Sequence, residues 1–215
     1  MRKIIVMIAA VLTFALVATA TDFPKSELFL GYDFTRFYPN SGYVPDLNAD
    51  GGAAQFTYNF NKWIGGTFDF GSVTKGTLNH ANWDSTVTSF TIGPRFMYHN
   101  HSRFTPYLEV LFGDADAAVS TEVGTFAPAN LPTNLPANVV LPPTSIFTTR
   151  ITASKSGFAM LAGGGLDIKI FKRMSFRPIG VDYYLMRMPS LLTGNDKNIN
   201  NIRYTAGVSF LFGKK

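Results

Sequence analysis

The chain has 215 residues, no cysteine, 19 Lys and Arg against 14 Asp and Glu, and a formal net charge of +5. The charge is too mild for nucleic-acid binding, and the lack of cysteine speaks against a small disulfide-stapled domain. Charged residues make up only 15% of the chain, where ordinary soluble domains carry about 25%, while 20 Phe, 9 Tyr and 2 Trp make it rich in aromatics.

The first twenty residues stand apart. A basic MRK precedes the apolar run IIVMIAAVLTFALV, and Ala18-Thr19-Ala20 forms a small-x-small cleavage site. This is the pattern of a secretory signal peptide cut after Ala20, so residues 1–20 are expected to be removed and 21–215 to form the mature protein. An uncleaved anchor is the competing reading, but no stop-transfer flank follows. Loss of Arg2 and Lys3 lowers the net charge from +5 to +3. No later segment is apolar for the roughly 20 residues that a transmembrane helix needs.

Eight runs of strict alternation follow. Residues 27–37 (ELFLGYDFTRF) set Leu28, Leu30, Tyr32 and Phe34 against Phe29, Gly31, Asp33 and Thr35. Residues 53–60 and 63–71 set Ala54, Phe56, Tyr58, Phe60 and Ile64, Phe68, Phe70 against Gln55, Thr57, Asn59 and Gly65, Thr67, Asp69. Residues 85–98 place Phe90, Ile92, Phe96 and Tyr98 opposite Ser89, Thr91, Gly93 and Arg95; 105–113 place Leu108, Val110 and Phe112 opposite Tyr107, Glu109 and Leu111. Residues 157–170 and 175–186 continue the pattern, with Gly163, Gly165, Asp167, Lys169 and then Gly180, Asp182, Tyr184 on the less apolar face. The last run, from Ile202, sets Tyr204, Ala206, Val208, Phe210 and Phe212 against Arg203, Thr205, Gly207, Ser209 and Leu211.

Connectors alternate between short (61–62, 99–103, 171–173) and long (38–52, 72–84, 114–154, 187–201). Short turns at one end and long loops at the other are the layout of an outer-membrane barrel. The expected fold is all-β: an eight-stranded antiparallel up-and-down transmembrane β-barrel, with short periplasmic turns and long extracellular loops. The longest loop spans about 114–154 and holds FAPANLPTNLPANVVLPPTS; a segment of that length is either functional or a plain surface loop.

The less apolar face collects glycines and charges of both signs. A solvated exterior would carry long charged chains and few glycines, whereas a narrow lumen is just wide enough for side chains to fill it. Buried charges must pair, so Arg95, Glu109, Asp69, Asp167, Asp182 and Arg203 are expected to form a polar network that plugs the lumen. Arg95 and Glu109 would face each other across the 99–103 turn. The apolar face, including Tyr204, Val208 and Phe210, then meets lipid. Phe60, Trp63, Tyr98, Phe104, Phe171 and Phe210 or Phe212 form the turn-side girdle. The rival is a soluble lipocalin-like barrel, which would bury the aromatics and leave a glycine-rich exterior. The apolar parity slips between Phe176 and Ile179 beside Pro178, which predicts a bulge.

TIGPRFMY, HSRFTPYLEVLFG, GGGLDIKI, RPIGVDYYL and NNIRYTAGVSFLFG resemble the OmpA-like eight-stranded outer-membrane β-barrel proteins of bacteria. The resemblance spans essentially the whole mature chain and implies the bacterial outer membrane as location, with loops outside and turns in the periplasm. It also implies that Phe212 is the C-terminal assembly signal read by the barrel-insertion machinery, here followed by Gly213-Lys214-Lys215. OmpA itself carries a peptidoglycan-binding domain after its barrel; this chain ends at the barrel, so no such tether is expected.

The three histidines give no convincing chemistry. His99 and His101 flank Asn100 in a short turn next to Ser102, and His80 sits in the 72–84 loop. A nucleophile needs a base and an orienting acid within reach, and a zinc site needs more ligands than these. Gly163–Gly165 opens no helix and has no dinucleotide spacing. No catalytic residue, cofactor or metal is expected.

The function expected is that of a non-enzymatic integral outer-membrane barrel with a structural or surface-interaction role. The alternatives are a narrow low-conductance channel gated by the lumen charges and, less favoured, a lipid-modifying enzyme. The expected partners are outer-membrane lipid, the insertion machinery and periplasmic chaperones during assembly, and an extracellular ligand at the loops, with no nucleic acid. The barrel is expected to be a monomer.

Overall fold

The computed structural model describes residues 23–38, 46–78, 81–99, 102–126, 146–189 and 196–213. The expected signal peptide, His80, His101 and the middle of the longest loop lie outside the described residues. Eight strands run in chain order: β1 Ser26–Phe37, β2 Leu47–Asn59, β3 Ile64–Leu78, β4 Ala81–Met97, β5 Phe104–Phe126, β6 Ile146–Phe171, β7 Met174–Pro189 and β8 Asp196–Phe212. Each pairs antiparallel with the next, and β8 closes onto β1, with Ser26 opposite Phe212. The fold is the antiparallel meander expected from the alternation. Closure removes the edges that eight such strands would otherwise expose.

The strands exceed the alternating runs at their loop ends. β5 continues to Phe126 and β6 starts at Ile146, in register from Phe104↔Ile168 to Phe126↔Ile146. Both flanks of the segment read as the long 114–154 loop are therefore strand, and most of 72–84 is strand too. Those segments pair through backbone bonds and carry Thr, Ser and Ala, so they lack the apolar stripe that made the lower halves legible. β7 shifts register between Arg177 and Gly180, around Pro178, where a residue without an N–H cannot serve the ladder.

The outside carries a belt of exposed apolar side chains to which every strand contributes: Leu30 and Tyr32, Tyr58, Phe68, Ile92 and Phe96, Leu108, Phe158, Ile179, Tyr204. On β5 it runs from Phe104 to Phe112, about 20 Å along the barrel axis at ~3.3 Å per residue and ~40° tilt. A soluble monomer exposes far smaller patches, and a barrel's lipid-facing band is about 25 Å tall. At the loop end the belt stops at the ring pairs Phe70–Phe90 (5.0 Å) and Phe112–Phe158 (6.5 Å). Above them the outward positions turn polar: Ser72 with Thr88, Thr74 with Thr86, Asp116 with Ser156. At the turn end Phe60, Trp63, Tyr98, Phe104 and Phe171 are all exposed, with Trp63 against Tyr98 at 4.9 Å. An aromatic exterior is the opposite of what the lipocalin-like rival requires.

Candidate functional site

The lumen is filled in layers. At the turn end, His99 folds inward instead of lying free in its turn. Its Nε2 is 3.4 Å from Glu27 Oε1, and its Nδ1 donates to the Lys62 carbonyl at 3.0 Å. Asn59 donates to the same Glu27 oxygen at 2.7 Å and to the Pro24 carbonyl at 2.8 Å. Beside this clasp is a cavity of about 20 Å³, lined by Glu27, His99, Asp167, Lys169 and Ser175 among others. Such a volume suits a single water.

The next layer holds two arginines. Arg95 Nε lies 3.2 Å from Glu109 Oε2, and the two residues are directly opposed in the β4–β5 register. Arg177, one residue before the bulge, donates from Nε and Nη2 to the two oxygens of Asp167 at 2.8 and 3.3 Å. Gln55 joins the two pairs. Its Oε1 accepts from Arg95 Nη2 at 3.3 Å and from Arg177 Nη1 at 2.7 Å, and its Nε2 donates to Glu109 at 3.2 Å. Both guanidinium groups lie over the Tyr107 ring, at 3.8 and 4.4 Å, and that of Arg177 lies over Phe29 at 4.0 Å. Aromatic faces stabilise desolvated cations, so these rings complete the coordination that water would otherwise give.

Arg203 organises a third layer. Its Nε donates to Asp33 at 2.6 Å, and Nη1 and Nη2 donate to Asp69 at 2.8 and 3.2 Å. Thr35 also donates to Asp33, at 2.9 Å. Asp182 lies opposite Arg203 in the β7–β8 register, and its buried Oδ1 has no hydrogen-bond partner. Above this layer the lumen becomes apolar: Phe37, Ala49, Val73, Leu111, Ala115, Ala159, Leu161, Tyr184, Met186 and Met188 form one buried cluster.

All six network residues read from the sequence are thus buried. Arg95 meets Glu109 and Arg203 meets Asp69, but Asp167 pairs with Arg177, and Asp182 makes none of these bonds. Sequence reasoning missed Arg177, Asp33, Gln55, the His99–Glu27 clasp and the apolar upper lumen. A charge count held the signal for Arg177: the three cations of the less apolar face, Arg95, Lys169 and Arg203, do not balance its five carboxylates. The remaining predicted positions are Tyr204, exposed on the outside, and Val208, Phe210 and Phe212, which are half-buried on the same outward parity. Phe212 seals the barrel, its carbonyl accepting from Lys25 N at 2.8 Å. Among the described residues no group of acids and histidines is arranged to hold a metal.

No protein-family model matches the chain, and no curated protein does. Solved structures do. Ail, the attachment invasion locus protein of Yersinia pestis, is 20% identical, with a TM-score of 0.55 over 88% of this chain and 99% of that one. The same protein in complex with the heparin analogue sucrose octasulfate matches at 20% identity and TM-score 0.54, over 87% and 97%. Neisserial surface protein A is 10% identical, with TM-score 0.51 over 87% of this chain and 97% of that one. At these identities the likeness is one of fold: a closed eight-stranded barrel.

Proposed function

We propose that this chain is an integral barrel of the bacterial outer membrane, non-enzymatic and non-conducting, that presents a binding surface at its loop end. It sits with the aromatic belt in lipid and works as a monomer. Phe212 serves as the assembly signal for the insertion machinery, after delivery by periplasmic chaperones. The observation that carries the reading is the extension of β5 and β6 beyond the belt. β7 pairs with β6 only from Phe158 onward. Along Ile146–Lys155, one edge of β6 is therefore bonded to β5, and the other has no strand beside it among the described residues. A free sheet edge offers a row of backbone donors and acceptors to an extended segment of another protein.

The charges there favour a protein partner over a polyanion. Arg36, Lys75, Lys155 and Arg187 are interspersed with Asp46, Asp50, Asp84, Asp114 and Asp116, and Arg36 is spent on Asp46 at 3.6 Å. That a barrel of this fold can take a ligand is illustrated by the Ail complex with sucrose octasulfate.

The filled lumen argues against a channel. Two layers of ion pairs and an apolar cap stand in series, so Glu109→Ala would open at most one of them. The test uses the mature chain refolded in nanodiscs and a variant in which residues 120–152 are replaced by a tight turn. Wild type is expected to bind at least one member of a panel of immobilised extracellular-matrix proteins, and the shortened barrel none. Equal binding by both, or none by wild type, defeats the surface reading. In planar bilayers the folded chain is expected to be silent; discrete steps would favour the channel.

A further inference from the structure

The turn end carries a ring of cations that neither the lumen nor the loop surface explains. Lys25 precedes β1, Lys62 lies between β2 and β3, Arg103 between β4 and β5, and Lys172 and Arg173 between β6 and β7. At this end the described carboxylates, Glu27 and Asp167, are turned inside and held by His99 and Arg177. Among the described residues the outer surface of this end therefore carries cations alone.

Its positions are fixed by the barrel. The Lys25 carbonyl accepts from Asn59 N at 2.8 Å, that of Arg103 from Lys169 N at 2.7 Å and that of Arg173 from Leu211 N at 2.8 Å. The Lys62 carbonyl accepts from His99 Nδ1 at 3.0 Å. Each tie reaches a neighbouring strand or turn, so four anchor points recur every second strand around the rim. Two strand spacings at ~40° tilt put them about 12 Å apart.

Four of the five cations also adjoin an aromatic residue at the turn-end margin of the belt. Lys62 Nζ is 5.5 Å from the Trp63 ring, and Lys25 Nζ is 5.5 and 5.7 Å from those of Phe23 and Tyr58. Arg103 precedes exposed Phe104, and Lys172 follows exposed Phe171. Aromatics at this margin sit at headgroup level, which places the ammonium and guanidinium groups at phosphate depth. Among the described residues the loop end has no counterpart, because its outward cations are interspersed with Asp46, Asp50, Asp114 and Asp116.

We infer that the turn-end ring binds the headgroups of anionic phospholipid in the membrane leaflet on that side, selecting them over zwitterionic lipid. The inference rests on the reading of the chain as a membrane barrel. The ligand is lipid phosphate because the cations stand at the margin of the belt, and the ammonium groups of Lys25 and Lys62 lie over its rings.

The chain provides its own reporter. Trp63 stands in the ring, and Trp83 is the only other tryptophan, so Trp83→Phe leaves a single probe there. The mature Trp83→Phe protein is refolded in phosphatidylcholine vesicles containing either brominated phosphatidylglycerol or brominated phosphatidylcholine at the same fraction. Quenching of Trp63 gives the relative affinity of the two lipids at the ring. Phosphatidylglycerol is expected to be favoured about fivefold or more, the effect of one basic side chain at a membrane surface. The preference should collapse at high salt and fall to parity with K25Q/K62Q/R103Q/K172Q/R173Q added. Equal quenching by the two lipids, a preference insensitive to salt, or a preference kept by the charge-removed variant each overturn the inference. If that variant fails to fold, as shown by loss of its heat-dependent gel shift, the salt series on the Trp83→Phe protein decides. No quenching by either lipid would show that Trp63 is outside the bilayer, and the membrane reading itself would fall.

Discussion

Three buried arginines face six buried carboxylates inside this barrel among the described residues, and the way they divide decides what each is worth. Arg203 holds two acids, Arg95 and Arg177 one each, and Glu27 goes to His99. Asp182 is left over, with a buried oxygen that accepts no hydrogen bond. Removing one member of a hydrogen-bonded buried pair strands its partner, whereas neutralising a surplus charge removes a desolvation cost. Asp69→Asn should therefore lower the unfolding free energy by about 1.5–3 kcal/mol, since Arg203 loses a charge-assisted bond. Asp182→Asn should leave it unchanged or raise it. Urea unfolding of the two variants in lipid vesicles compares them; a loss at Asp182 equal to that at Asp69 would mean that Asp182 is a full member of the network.

At the scale of strands, the inner wall is shaped by glycines whose missing side chains are occupied by something else. A Cβ on Gly180 would come within 2.5 Å of Thr205 Oγ1 and 2.7 Å of Tyr107 Oη, both side-chain ends. A Cβ on Gly163 would be 2.6 Å from the Asp182 Cα and would also meet the Val181 carbonyl, which is fixed backbone. Gly180→Ala is expected to cost about 1–3 kcal/mol and to recover part of that when Tyr107→Phe removes one of the two hydroxyls. Gly163→Ala should cost at least as much and gain nothing from Tyr107→Phe. Thermal midpoints of the four variants, read from the heat-dependent gel shift, test this; equal recovery at both sites would refute the assignment. The same strands show what a sequence discloses. Period-two apolar stripes made the eight lower strands, the closed meander and the inward faces legible, because lipid outside and a narrow lumen inside impose opposite chemistry on alternate residues. Above the belt the alternation pairs polar outward residues with small inward ones, as Asp114 and Asp116 with Ala115 and Ala117, so the strand segments within 114–154 show no apolar stripe and read as loop. Arg177 was hidden by the parity slip at Pro178. Gln55 and Tyr107 gave no charge to count, and the clasp of His99 on Glu27 joins residues 72 positions apart that only closure of the barrel brings together.

For the whole molecule, everything turns on which solvent surrounds the belt. Around a soluble protein an exposed leucine can become arginine at almost no cost. At the centre of a bilayer the same change costs about 2–4 kcal/mol, falling to about 0–1 kcal/mol near the interface. Leu108 is 67% exposed and lies midway between Phe104 and Phe112 on β5, the middle of the belt. Thr74 points outward from β3 above the Phe70–Phe90 pair, bonded only to Thr86 across the strand pair at 3.2 Å. Leu108→Arg should thus destabilise the barrel by the full mid-bilayer amount, while Thr74→Arg stays within about 1 kcal/mol of wild type. Equilibrium refolding from urea into vesicles measures both on one scale. A neutral Leu108→Arg would place water at the belt and remove the membrane from the account. A costly Thr74→Arg would extend the lipid band up the projecting β3–β4 hairpin, and the surface proposed for binding would have to begin higher on β5 and β6.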